Sequence, residues 1–105
     1  MPESYSVIID ITGSNRGNYL ADMMVKDDNR ITFFGEAESR WTDEKMDLGI
    51  FNRVKKDLEE HSNEAKTEGL VLPNQGYGFI VIYRQDKIVI YVRKYSFDNM
   101  DWVRW

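Results

Sequence analysis

The chain has no cysteine, a single histidine and only two prolines among its 105 residues. Without thiols there is no disulfide framework, no thiolate nucleophile and no sulfur-ligated zinc, and one imidazole cannot make a histidine cluster for a metal. No run of 18 apolar residues occurs, so no transmembrane helix is expected, and the opening Met-Pro-Glu-Ser-Tyr lacks the basic-then-apolar order of a secretory leader. Repeats, low-complexity tracts and linker-like stretches are also missing. These absences predict one domain over residues 1–105, in the cytoplasm, with no membrane contact and no cofactor.

Charge is modest, with 14 basic against 18 acidic side chains, a net −4. Its placement is uneven. The acidity gathers in residues 36–47, through Glu36, Glu38, Asp43, Glu44 and Asp47, and in residues 57–68, through Asp57, Glu59, Glu60, Glu64 and Glu68. Acidic surface repels phosphate and attracts cationic proteins, so a basic protein partner is expected and nucleic acid is disfavoured.

The densest β-branched and aromatic run is residues 76–95, GYGFIVIYRQDKIVIYVRKY. Two such runs around the polar residues 84–87 predict an antiparallel hairpin. With side chains alternating, Tyr77, Phe79, Val81 and Tyr83 share one face and Gly78, Ile80 and Ile82 the other. Both faces are apolar, which predicts a hairpin inside the sheet with a helix over one side.

Upstream, residues 5–12 alternate as a first strand, and the Gly-Ser-Asn-Arg-Gly-Asn of residues 13–18 reads as a turn without the glycine pattern of a phosphate loop. Residues 19–25 suit either helix or strand; we read a strand, turning at residues 26–29 into a third strand from Arg30 to about Glu36, closed by Gly35. Thr42 reads as the N-cap of a helix, with Asp43 and Glu44 in its first turn. Met46, Ile50, Val54, Leu58, His61 and Ala65 then form an apolar stripe with Phe51 beside it, and Gly69 ends the helix. Lys55 with Glu59 and Lys56 with Glu60 are spaced as i,i+4 ion pairs. The chain closes on Phe97, Trp102 and Trp105, which either dock on the core or wait for a partner; docking is the expectation.

Catalytic groupings are scarce. His61 falls on the inner or boundary stripe of the helix, no serine stands in a nucleophile elbow, and the Glu38-Ser39-Arg40 run has arginine where a nuclease-like metal site would use lysine. A non-enzymatic protein is expected.

Residues 75–82, QGYGFIVI, resemble the RNP1 octamer of the RNA-recognition motif, K/R-G-F/Y-G/A-F-V-x-F/Y. The resemblance implies that Tyr77 and Phe79 stack on unpaired bases, with Arg93 and its basic neighbours Arg84, Lys87 and Lys94 nearby. Gln75 and Ile82 depart from the octamer, and a strand follows where that family has a helix.

The expected fold is α+β, a mostly antiparallel sheet in the order βββαββ with one long helix on one face. The expected role is protein binding, of the kind seen in immunity proteins or phage- and plasmid-encoded inhibitors, through Glu36, Glu38, Glu59, Glu60, Glu64, Trp102 and Trp105. The rival expectations are an RNA-binding module on Tyr77, Phe79 and Arg93, or self-association, a homodimer through a sheet edge.

Overall fold

A computed structural model describes residues 22–43 and 47–104, and the backbone of residues 5–9. The turn read at residues 13–18, Glu44, Met46 and Trp105 lie outside the described residues. The fold is α+β; among the described residues there are six strands, in one sheet in chain order, and one helix. Strands β1 (Tyr5–Ile9), β2 (Met23–Asp27) and β3 (Arg30–Trp41) form an antiparallel meander. Helix α1 (Ile50–Thr67) follows, then β4 (Gln75–Tyr83), β5 (Ile88–Ser96) and the short β6 (Asp101–Trp102), again antiparallel. The two meanders join where β3 pairs with β4 in parallel, from Gly35 opposite Tyr77 to Trp41 opposite Tyr83. Parallel neighbours require a long crossover, and the segment carrying α1 provides it.

Several local readings are corrected. The second strand starts at Met23 and includes Lys26 and Asp27, so the turn shrinks to Asp28 and Asn29, with Asp28 at φ 55°. The third strand does not close at Gly35 but continues to Trp41, because the parallel ladder with β4 engages its backbone. Thr42 caps no helix: its amide donates to the Tyr83 carbonyl at 3.1 Å, prolonging that ladder, and Asp43 accepts the Gln85 amide at 3.1 Å. The helix begins eight residues later, behind Gly49, with no side-chain cap. Its end is as the sequence indicates. Gly69, at φ 81°, donates to the Lys66 carbonyl while Leu70 donates to that of Ala65, a Schellman ending.

Val54, Leu58 and Ala65 of α1 are fully buried against Phe34, Ile80 and Ile82 of β3 and β4, where the core sits. Phe97 and Trp102 extend this cover. A side chain at Gly78 would meet the Trp102 ring at 2.6 Å, and one at Gly76 would meet the Phe97 ring at 2.7 Å. The two glycines are therefore slots for the C-terminal aromatics, and the glycine–aromatic alternation of β4 has a packing cause. Trp102 also meets Phe51 and Tyr95 edge-on, at 5.5 and 5.6 Å between ring centroids.

Candidate functional site

Among the described residues, no element packs over the other face of the sheet. Alternation along β4 sends Tyr77, Phe79, Val81 and Tyr83 away from α1, and the register adds Phe33, Ala37, Ser39 and Trp41 from β3 and Ile88, Ile90 and Val92 from β5. Phe33 stacks on Tyr77 at 5.2 Å and 12°, Tyr77 lies 6.3 Å from Phe79, and Trp41 stacks on Tyr83 at 6.0 Å. Gly35 lies beneath these rings; a Cβ there would meet Phe79 and Phe33 at 3.2 and 3.3 Å. Trp41 is 76% exposed, Ile88 61% and Ile90 57%. On β3, β4 and β5 between Phe33 and Lys94 the only charged side chain this register turns to the open face is Lys94, opposite Tyr77. A contiguous apolar, aromatic surface of this kind marks a binding surface more often than solvated sheet.

The residues singled out from sequence are not brought together. Glu36, 1% exposed, lies on the helix side of β3, where its carboxylate meets His61 Nδ1 and its other oxygen accepts the Asp22 amide at 3.3 Å. It is a buried link between sheet and helix, so it offers no surface to a partner. Glu38 pairs with Arg40 at 3.0 Å. Glu60 and Glu64 are exposed on α1 and Glu59 is half-buried. Of the two i,i+4 pairs, Lys56–Glu60 forms at 3.9 Å, whereas Lys55 turns to Asp101 at 3.0 Å. Trp102 is packed over Gly78 rather than presented outward. Tyr77 and Phe79 do share the open face, but Arg93 points the opposite way, its guanidinium 4.9 Å over the Trp102 ring and 5.6 Å over Phe51. The stacking pair and its supposed cation are on opposite sides of the sheet.

The second cluster of note is electrostatic. Asp22, itself buried, accepts the Ala37 amide at 2.9 Å, and Asp57 faces the same imidazole from α1. The Glu36 hydrogen bond and the surrounding carboxylates push His61 up to about 9, against the opposing effect of burial. Burial pushes Glu36 up to about 8, with His61 pulling the other way and Asp22 adding to the rise. Asp57 is raised too, chiefly by burial. The pair thus holds its proton to higher pH than its members do in an unfolded chain.

Sequence reasoning missed this contact because Glu36 looks like surface charge. The available signal was parity: Glu36 shares a strand face with Phe34. Among the described residues, no group of three or more His, Asp or Glu side chains is placed to hold a metal ion, and no helix is long and apolar enough to cross a membrane. No protein-family model matches the chain, nor does any curated protein or solved structure.

Proposed function

We propose that this chain is a non-enzymatic protein-binding domain whose contact surface is the open face of the sheet. The observation that carries the reading is the near-uncharged run of aromatic and β-branched side chains across β3, β4 and β5, with Trp41 standing 76% exposed at its end. Interface cores are depleted in charge and rich in aromatic residues, and tryptophan and tyrosine dominate their hot spots. The acidic surface of α1, with Glu60 and Glu64, lies on the other side of the sheet and contributes long-range attraction toward a basic partner. A stoichiometric inhibitor would hold its target through the open face.

The test places a charge on each surface in turn. Trp41→Lys with Val81→Lys on the open face is compared with Glu60→Lys and Glu64→Lys on the helix, using proteins retained from native extract and quantified by mass spectrometry, with circular dichroism as the control for folding. The expected result is a partner lost by the sheet variant and kept, more slowly bound at low salt, by the helix variant. Retention indifferent to the sheet substitutions would end this reading. Base stacking on the Phe33–Tyr77–Phe79 ladder is the second reading, and fluorescence polarisation with a labelled single-stranded RNA tests it directly; with Lys94 as its one cation on these strands, the face is expected to bind RNA weakly and with little salt dependence.

A further inference from the structure

On the helix side of the sheet, between the start of α1 and β5, lies a cleft of about 550 Å³ lined by Leu48, Phe51, Ile90, Tyr91, Val92 and Arg93. That volume falls within the range of small-ligand sites, which are mostly apolar with a few polar groups that fix orientation. Here the polar side chains are two, the Tyr91 phenol and the Arg93 guanidinium. Arg93 is the unusual one. Its guanidinium lies over the Trp102 and Phe51 rings, whose π faces favour the charge but offer no lone pair to the N–H groups. Its Nε is buried with no hydrogen-bond partner, and among the described residues no carboxylate comes within ion-pair distance of it. Asp101, close enough to sense Arg93, is held instead by Lys55 at 3.0 Å. A buried donor left unmet is destabilising, and an acceptor brought in by a ligand removes that penalty.

We infer that this cleft binds a small apolar monocarboxylate, its carboxylate paired with the Arg93 guanidinium and its hydrocarbon body against Leu48, Phe51 and Tyr91. A guanidinium carries its N–H donors in one plane, a fork that meets both oxygens of a carboxylate at once. Charge selects a single anion. Arg93 is the only cation among the lining residues and Asp101 lies near it, so a dianionic phosphate would bring a second negative charge that no lining group neutralises. A neutral hydrocarbon would fill the apolar walls equally well, yet it would leave the guanidinium without an acceptor. Because Arg93 and Tyr91 project to the helix side of β5, the site does not depend on the protein contact proposed for the open face.

Octanoate is the probe and octanol its neutral counterpart, each titrated into the isotope-labelled full chain and followed by NMR. Octanoate is expected to saturate one site with a Kd on the order of a millimolar, as suits so small a ligand, and octanol to bind at least about tenfold more weakly. The Arg93 Nε–H signal should shift with octanoate alone. The amides of Phe51, Tyr91 and Arg93 should move, while those of Tyr77 and Phe79 on the open face stay in place. Arg93→Met keeps an unbranched side chain against the two rings and removes the charge, so it should weaken octanoate at least about tenfold and leave octanol unchanged, with circular dichroism as the control for folding. Should Arg93→Met not fold, Leu48→Glu decides the matter: Leu48 is 59% exposed, so the fold tolerates the change, and a carboxylate on the cleft wall should weaken octanoate more than octanol. Equal affinity for octanoate and octanol would overturn the inference, as would an unmoved Arg93 Nε–H signal or shifts centred on the open face. Octanoate binding untouched by Leu48→Glu would also overturn it, and so would the lack of saturation at concentrations about tenfold above a millimolar.

Discussion

At the level of single residues, Glu36 and His61 carry the most consequence. A carboxyl 1% exposed is stable there because an imidazole and a backbone amide take its oxygens. In the unfolded chain a glutamate titrates near 4.5 and a histidine near 6.5, whereas the folded pair holds its proton until about 8 to 9. Both shifts are upward, so the native state binds the extra proton, and the stability from the pair is complete at low pH and lost as pH rises through 9. His61 is partly solvated, which trims the effect to about 1–2 kcal/mol between pH 6 and 9. Glu36→Gln keeps a hydrogen-bonding side chain of the same shape and removes the carboxylate. Urea melts at pH 6, 7.5 and 9 should therefore show a falling stability in the wild type and a flatter one in the variant. Equal slopes for the two proteins would show that the pair does not set the pH dependence.

At the level of elements, α1 was legible along most of its length and illegible at its start. The spacing of Val54, Leu58 and Ala65 fixes a face, and a face fixes what must lie beneath it. Leu58 is fully buried in the core cluster, so Leu58→Ala should cost roughly 2–5 kcal/mol, the usual range for a core leucine. A loss under about 1 kcal/mol in urea melts would mean that the leucine faces solvent. The false start at Thr42 has a plain cause: cap-forming residues are also turn and strand-end residues, and here the Tyr83 carbonyl claims the Thr42 amide first. The second half of β3 was hidden for a related reason. Glu36, Glu38 and Arg40 read as solvated charge, but opposite α1 they become a buried acid and a half-buried ion pair. Pairing with a strand 42 residues away leaves no local trace. The β4–β5 hairpin was visible because its alternation is purely local.

At the scale of the whole fold, the described residues form a sheet finished on one side. Over one face α1 and the C-terminal aromatics close the core; over the other, the aromatic ladder is left without described cover. The sequence posed the choice for Trp102 between core and interface, and the slot at Gly78 resolves it toward the core: two glycines at alternate positions of a central strand leave room that only a ring from elsewhere fills. The C-terminal segment is thus part of the global fold. Deleting residues 101–105 removes the Trp102 ring from between Phe51, Tyr95 and Arg93, opens a void above Gly78, and breaks the exposed Lys55–Asp101 pair, whose own contribution is small. Burying most of a tryptophan contributes about 2 kcal/mol or more, and in a domain of this size each kcal/mol moves the melting temperature by roughly 4–8 °C. The truncated chain should therefore melt roughly 10 °C lower. Gly78→Val should reproduce much of that loss in the full-length chain, because its branched side chain competes with Trp102 for the same slot. If both variants melt within about 2 °C of the wild type, the ring is not a structural wedge, and Trp102 returns to the surface as a residue available to partners.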